Sequence, residues 1–427
     1  MPLLLDTPIS ERWQSVEGRF ETRALADCLY QTAVEQRLPV AVWRLPNTRQ
    51  VQAVVDVSGQ VRQVKLDLET LPPAFVFSRF HQPEQTSYVI PARVYWNGTR
   101  CFTQNGREDG RFLQAQRDFL RHLEARLRSD NHACARRAGW FGQEQPADLE
   151  HADRERYQSW VSDAVATISR GLLRKVVLAR TVRLELRPGF SPVALFQHLC
   201  GQFRNAFVSL VAIPGAGTWI GATPELLFSL CGPQLEVVSL AGTQPARRGV
   251  RPVWGEKERE EQAFVSDYIR GTFLRHGITE FEVVGPDTLR IGKLLHLQTK
   301  FRYTVDESTG LRVVTRLLHA LHPTPAVGGV PKTEALAYIR RVETFDREFY
   351  AGFLGPVNFN RATHLFVNLR CLQLQKDAAV LYAGAGITED SVAEQEWQET
   401  ELKLNALRAF LENGYRLKRT VEQAGAP

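Results

Sequence analysis

The stretch AFVSLVAIPGAGTWIGATPELLFSLCGPQLEVVSL, residues 206–240, decides the fold class. It contains three strand candidates, AFVSLVAI, TWIGA and QLEVVSL, which are separated by short segments rich in Gly and Pro. Strands that follow one another without helical crossovers are typical of antiparallel sheets. We therefore predict an α+β fold of layered, mostly antiparallel β-sheets with flanking helices, and not a doubly wound parallel sheet.

Strand and helix candidates continue on both sides of this stretch. Further strand candidates are AVWRLPN, VQAVVDVSG, VRQVKLD, AFVFSRF, KVVLARTVRLEL, HLQTKFRYTV, HLFVNLRCLQL and AVLYAGAG. Apolar residues at helical spacing predict helices at about 111–129, 154–170, 255–275, 308–321, 332–342 and 392–412. Both patterns are lost between residues 131 and 150, which favours a boundary there. We predict an α/β extension at residues 1–150 that packs on a core domain at residues 151–427.

Composition excludes several classes of protein. The chain has 427 residues with 44% hydrophobic and 23% charged residues, so it can bury a sizeable core. Its net charge of +6 is dispersed, without the dense basic runs of a nucleic-acid arm, and favours small anionic ligands. Six scattered Cys without a C-x-x-C pair favour a reducing cytosol. The N-terminal sequence MPLLLDTPISERW predicts neither a signal peptide nor a membrane span. We expect a cytoplasmic protein without nucleic-acid or membrane partners, as a monomer or weak homodimer.

Two predicted helices carry carboxylates within their apolar faces. At about 100° per residue, Glu396, Glu399 and Lys403 fall in the middle of the apolar arc of the C-terminal helix. In the other acidic helix, EKEREEQAF, Glu258 and Glu261 face the apolar side. Buried carboxylates require cations or strong hydrogen bonds, so salt bridges, for example to Lys403, and a divalent-metal site are both open. Four inward carboxylates favour the metal, and all-oxygen ligation suits Mg²⁺.

Lys175 and Glu225 are the other two charged residues that the pattern makes unusual. Strand alternation puts Lys175 on the same face as Val177 and Ala179, where burial would lower its pKa and allow it to act as a base. The alternative is a lysine at a strand end that reaches solvent. Glu225 follows Pro224 in a predicted turn, and a turn carboxylate is usually solvated.

Taken together, the motifs resemble those of the chorismate-utilising enzymes. These motifs, which span about residues 154–411, are RKVVLAR, GATPELLF, SLAGTQPARRG, EKEREEQAF, LHPTPAVGG, FDREFYAGFLG and AGAGITEDSVAEQEWQETELK. The family includes isochorismate synthases, salicylate synthases and the first components of anthranilate synthase and aminodeoxychorismate synthase. LHPTPAVGG (Leu321–Gly329) and EWQET are most similar to the isochorismate synthases.

The resemblance implies a role for each residue singled out above. Lys175 matches the general base that activates water, and Glu225 matches the general acid. Glu261 and Glu399 match direct Mg²⁺ ligands, with Glu258 and Glu396 as their companions. The remaining matches are with substrate-binding positions: Arg370 and Tyr350 for the enolpyruvyl carboxylate, Gly384, Ala385, Gly386 and Lys403 for the ring carboxylate, and Ala241, Gly242 and His296 for the pocket lining. Gln262 departs from the family, in which His is frequent after the Glu ligand.

The resemblance also implies an activity for the core domain, the conversion of chorismate to isochorismate with Mg²⁺ as cofactor. Water would attack C2 and the C4 hydroxyl would leave, so a neutral Lys175 and a protonated Glu225 are required. The product would feed menaquinone or a dihydroxybenzoate siderophore, and EWQE favours the menaquinone branch. The alternatives are a salicylate synthase and, in a different class, a non-catalytic ligand-binding protein of the same fold.

Overall fold

The computed structural model describes residues 13–15, 22–81, 86–104, 110–128, 139–142, 153–246, 252–291, 294–306 and 310–413. Within these residues the chain forms eight helices and twenty strands. The helices are α1 (Thr22–Glu35), α2 (Gly110–Arg128), α3 (Arg154–Ser169), α4 (Pro192–Gln202), α5 (Glu256–Arg275), α6 (Gly310–Leu321), α7 (Lys332–Val342) and α8 (Ala393–Asn413). None of the helices in this part of the chain combines the length and the apolar character needed to cross a membrane.

The strands form two large antiparallel sheets. In chain order they are β1 (Trp13–Ser15), β2 (Val40–Arg44), β3 (Val51–Val55), β4 (Arg62–Lys65), β5 (Ala74–Ser78), β6 (Thr86–Pro91), β7 (Val94–Trp96), β8 (Cys101–Gln104), β9 (Lys175–Glu185), β10 (Phe207–Ile213), β11 (Gly217–Thr223), β12 (Leu226–Cys231), β13 (Gln234–Pro245), β14 (Glu282–Ile291), β15 (Leu294–Thr304), β16 (Gly329–Val330), β17 (Phe353–Val357), β18 (Ala362–Val367), β19 (Cys371–Leu374) and β20 (Ala378–Ile387). The first sheet has the order β1-β8-β7-β3-β2-β10-β11-β19-β20-β9-β16, and the second has the order β14-β15-β13-β12-β18-β17-β5-β6-β4.

The two sheets pack face to face, with helices on the outside. Aromatic side chains fill the space between them: Phe207 of β10 stacks on Phe366 of β18 with ring centres 4.3 Å apart, and Phe77 of β5 meets Trp219 of β11 edge-on at 6.2 Å. On the other face of the first sheet, buried residues of α1, α2, α4 and α8 form a second core. The prediction of a layered, mostly antiparallel α+β fold is therefore confirmed.

The predicted helices are all present, and their ends lie within two residues of the predicted ones. Residues 129, 308 and 309 lie outside the described residues. Two helices were missed, α1 and α4. The start of α4 is marked by Ser191, whose side chain accepts a hydrogen bond from Ala194 N at 3.2 Å, and by Pro192 in the first turn. This Ser-Pro signal could have predicted the helix.

Residues before position 150 contribute strands to both sheets. In the first sheet, β2 pairs with β10 over five residues. In the second sheet, β5 pairs with β17 over five residues. The early strands therefore extend both sheets through backbone hydrogen bonds. Most of the predicted boundary segment lies outside the described residues, and the division of the chain at residue 150 stays a prediction.

Candidate functional site

The core of the candidate site is a space that Gly386 leaves open. Lys175 begins β9, and Gly386 in the neighbouring strand β20 lies opposite Val177. A Cβ atom at Gly386 would lie 3.1 Å from Lys175 Cε, 3.6 Å from Lys175 Nζ and 3.8 Å from Glu261 Oε2. Because glycine has no side chain, the Lys175 ammonium and the Glu261 carboxylate, which comes from α5, can both extend to this point.

Lys175 and Glu225 are both buried, with relative exposures of 2% and 8%. Burial lowers the pKa of Lys175, while the carboxylates of Glu261 and Glu225 oppose this effect. Burial raises the pKa of Glu225 to about 7, against the opposing charges of Lys175 and Lys403. The burial excludes both a solvent-reaching Lys175 and a solvated Glu225. Both pKa values move toward neutrality, as a base and an acid working at one pH require.

Arg370 and Tyr350 border the same space. Arg370 lies between β18 and β19 in a left-handed conformation with φ 50°, and its pKa is lowered by burial against the opposing effects of Tyr350, Glu399 and Glu225. The ring of Tyr350 stacks on Tyr382 at 5.3 Å. The hydroxyl of Tyr350 lies 3.0 Å from the position of a Cβ at Gly384. A second glycine of β20 therefore leaves room for a polar group, as Gly386 does for Lys175.

Lys403 connects α8 to the backbone of β20. Its Nζ donates hydrogen bonds to Gly384 O at 2.7 Å and to Glu399 Oε1 at 2.6 Å. Burial acts to raise the pKa of Glu399, but the charge and hydrogen bond of Lys403 and the charges of Lys257 and Arg370 together outweigh it, so the pKa is lowered. The backbone segment of Gly384, Ala385 and Gly386 and the Lys403 ammonium thus lie together, as the resemblance predicts.

The opposite wall comes from a bulge in the second sheet. The register of β13 against β15 shifts between Ala241 and Thr243, and Gly242 has φ 67°, which favours glycine. A Cβ at Gly242 would lie 2.9 Å from Glu258 O. His296 of β15 is buried, and burial, with the charges of Arg370 and Lys403, lowers its pKa to about 3. His296 is therefore a neutral ring facing the same cations.

The acidic helices α5 and α8 face each other through an ion pair that the sequence analysis missed. Lys257 Nζ donates to Glu396 Oε1 at 2.9 Å, and Glu396 is 2% exposed. Glu396 is thus paired with Lys257, and Glu399 with Lys403. These two of the four carboxylates form the salt bridges that the alternative to a metal site predicted. Glu258 Oε2 accepts a hydrogen bond from Gly255 N at 2.9 Å and so caps the start of α5.

The pKa shifts of the inward carboxylates on α5 and α8 are compatible with a bound cation. Burial raises the pKa of Glu261, and the charges of Glu399 and Glu396 raise it further. Burial and Glu399 likewise raise the pKa of Glu396. Among the residues that the structure places, no three His, Cys, Asp or Glu side chains converge as a preformed metal cluster. Carboxylate oxygens on Glu261, Glu396 and Glu399 are nevertheless hard donors of the type that Mg²⁺ prefers, and a cation would relieve their mutual repulsion.

A second missed pair lies behind Lys175. Glu343 and Arg347 form an ion pair in which each side chain is 2% exposed. The guanidinium and the carboxylate also bond the backbone of β9 at Val177 and Ala179. No sequence signal marked this pair, because the two residues lie outside the predicted helices. Their contacts with β9 join residues about 170 positions apart, which no local pattern reveals.

Comparison with known proteins assigns the chain to a family. The sequence profile described as "Chorismate binding enzyme" matches residues 99–412. The salicylate biosynthesis isochorismate synthase of Pseudomonas aeruginosa is 35% identical over 302 residues, which are 68% of this chain and 61% of that protein. The isochorismate synthase DhbC of Bacillus subtilis is 26% identical over 366 residues, 82% of this chain and 83% of that protein. The chain thus spans about three fifths of the length of the first of these relatives.

A solved structure shows the same fold. The menaquinone-specific isochorismate synthase of Escherichia coli superimposes with a TM-score of 0.70 at 23% identity, and the match covers 94% of both chains. The family profile covers most of the chain, including every residue placed in the site above. The chain belongs to the chorismate binding enzyme family.

Proposed function

We propose that this protein is an isochorismate synthase, which converts chorismate to isochorismate with Mg²⁺. The observation that carries the proposal is the buried pair of Lys175 and Glu225, whose pKa values are displaced in opposite directions within one site. The relatives with 35% and 26% identity, whose names describe isochorismate synthases, support the same activity.

The chemistry follows from the two protonation states. A neutral Lys175 takes a proton from water, and the oxygen forms a bond to C2 of the ring while the ring double bonds shift. The C4–O bond breaks, and protonated Glu225 supplies the proton with which the hydroxyl leaves as water. One hydroxyl replaces another, so the reaction is close to thermoneutral and reversible. Burial causes both pKa shifts, that of Lys175 downward and that of Glu225 upward, because it disfavours the charged form of each group.

Binding of the substrate requires positive charge, because chorismate carries two carboxylates. We assign the enolpyruvyl carboxylate to Arg370 and Tyr350, and the ring carboxylate to Lys403 and the backbone of Gly384–Gly386. An Arg guanidinium suits the first site because it can donate two parallel hydrogen bonds to a carboxylate. Ala241, Gly242 and neutral His296 line the opposite wall without adding negative charge.

The metal proposal rests on the carboxylates of α5 and α8. Glu261 and Glu399 would hold Mg²⁺, with Glu396 and Glu258 as companions. When bound, Mg²⁺ would supply positive charge beside the ring carboxylate and neutralise the charge that develops there. Lys257 and Lys403 hold Glu396 and Glu399 in place, and the charges of these two carboxylates act on Glu261.

Among pathways we propose menaquinone biosynthesis, on the EWQE sequence (Glu396–Glu399) in α8. A siderophore-pathway isochorismate synthase and a salicylate synthase are the alternatives within the family. Relatives whose names refer to salicylate and vibriobactin pathways keep these alternatives open. The LHPTPAVGG segment favours an enzyme that stops at isochorismate.

A product assay tests the proposal. The protein is incubated with chorismate and Mg²⁺, and the products are separated by chromatography, with a metal-chelated sample as control. Isochorismate alone is the expected product. Salicylate with pyruvate, or anthranilate when ammonia is added, would overturn the assignment within the family. Chorismate binding without any turnover would instead indicate the non-catalytic alternative.

A further inference from the structure

The edge of the first sheet beside Lys175 is completed by side chains. The short strand β16 pairs with β9 only at Lys175 and Val176. Two further backbone bonds flank this pairing, from Arg174 N to Val330 O at 2.7 Å and from Val177 N to Gly328 O at 2.8 Å. Beyond Val177 N, the backbone at this edge of β9 is bonded by side chains and no longer by β16. Arg347 Nη2 donates to Val177 O at 2.7 Å, and Ala179 N donates to Glu343 Oε1 at 2.8 Å. The ion pair therefore takes the place that a longer edge strand would occupy.

Arg347 of this ion pair also contacts three other segments near the site. Arg347 Nη1 donates to Val327 O at 2.9 Å, in the segment that leads into β16. The guanidinium lies over the ring of Phe80 at 4.4 Å. Tyr350 N donates to Arg347 O at 2.8 Å, which fixes the turn that presents the Tyr350 side chain. The Arg347 guanidinium thus contacts the strand of Lys175 and the β16 segment and lies 6.0 Å from the centre of the Tyr350 ring, while the backbone of Arg347 holds the turn of Tyr350.

A contribution to folding stability does not by itself explain the buried Glu343–Arg347 ion pair. Removing two charges from water is costly, and replacing a buried ion pair by apolar residues is often neutral or stabilising. What an apolar pair cannot do is satisfy the backbone groups of Val177, Ala179 and Val327 in one fixed geometry. A bidentate guanidinium-carboxylate contact has that directional specificity, because its two Arg347–Glu343 hydrogen bonds allow little rotation.

We propose that Glu343 and Arg347 are positioning residues, which hold the backbone of β9 and the Tyr350 turn so that the Lys175 ammonium and the Tyr350 hydroxyl keep their places at Gly386 and Gly384. The inference rests on the function proposed above. The two side chains bond each other and the backbone of Val177, Ala179 and Val327, so the effect passes through backbone placement. Displacement of a reacting group by about 1 Å can lower a rate by roughly 100-fold.

The test compares Glu343→Gln with a matched control. Glu343→Gln removes the charge and keeps the shape. Asp56→Asn removes another buried carboxylate, which lies 3.4 Å from Arg93 Nε and directly follows β3. Six strand positions separate β3 from β9 in the first sheet, about 29 Å at ~4.8 Å per strand. Both variants are measured for kcat, KM and melting temperature, with rates divided by the folded fraction.

The two variants should separate positioning from stability. We expect Glu343→Gln to lower kcat by roughly 10- to 100-fold, because Lys175 is displaced, and to raise KM by a smaller factor, because Tyr350 binds a substrate carboxylate. Asp56→Asn should lower the melting temperature and leave kcat unchanged. If Glu343→Gln does not fold, Arg347→Lys decides, since it keeps the charge and loses the bidentate fork. If the wild-type enzyme is active and the folded variant has an unchanged kcat, the positioning inference is overturned while the proposed function stands. An inactive wild type would overturn the proposed function and this inference with it.

Discussion

Replacing Glu225 by Gln is expected to stabilise the protein at alkaline pH while it abolishes turnover. Glu225 is 8% exposed, and burial raises its pKa from 4.5 to about 7. A buried carboxylate with a raised pKa opposes folding once it must ionise. Glutamine has nearly the same shape and never ionises, so the variant avoids this cost.

The magnitude and its pH window follow from the two pKa values. Because the folded-state pKa of Glu225 is above its unfolded value, folding favours the protonated form. This contribution is fully present below pH ~4.5 and is lost as the pH rises toward 7. The difference of about 2.5 in pKa, at ~1.36 kcal/mol per pKa unit, corresponds to ~3 kcal/mol above pH 7. The gain in the variant should be smaller than this, since Lys175, Lys403 and Arg370 lose a nearby negative charge.

Urea unfolding between pH 5 and 9 measures the effect. The free energy of unfolding of Glu225→Gln relative to wild type should rise by ~1–3 kcal/mol across this range. Glu185→Gln, at an exposed position of β9, serves as the control and should show no such rise. A difference between variant and wild type that stays constant with pH would refute the argument that burial keeps Glu225 protonated. Residual turnover close to that of wild type would refute its role as the acid.

Three further substitutions test other parts of the site. Lys175→Ala should abolish turnover and leave chorismate binding detectable by calorimetry, and unchanged turnover would exclude Lys175 as the base. Arg370→Lys should raise KM for chorismate by about tenfold, because the bidentate contact is lost. Lys257→Met leaves Glu396 buried without its ammonium partner and should lower the free energy of unfolding by ~1–3 kcal/mol. Mg²⁺ should raise the melting temperature of this variant more than that of wild type, and an equal rise in both would contradict a metal site beside Glu396.

Much of the fold was predictable because its signals are local. Helical spacing of apolar residues placed six helices with ends within two residues, and the Gly- and Pro-rich turns around residues 206–240 predicted antiparallel pairing. The helical wheel also identified Glu261, Glu396 and Glu399 as inward carboxylates, but it was wrong for Glu258, which caps the exposed start of α5. A charged side chain within an apolar arc can be read from a single helix, because the periodicity of the helix fixes its direction.

Neither the order of the strands nor the partners of the charged side chains follows from local sequence patterns. Nothing in the first hundred residues predicts that β2 lies beside β10 or that β5 lies beside β17, because sheet pairing depends on packing between distant segments. The pairing of Lys257 with Glu396 joins residues 139 positions apart.

The contrast is clearest around Lys175. Strand alternation assigned this lysine to the apolar face of a strand and left a solvent-reaching lysine as the alternative, while helix periodicity predicted inward carboxylates on two helices. Only the folded chain decided that Gly386 leaves room for Lys175 and Glu261 together, and that Glu343 and Arg347 complete the strand edge behind them. Periodicity fixes the direction of a side chain, whereas its neighbours and its pKa depend on which distant segments are packed against it.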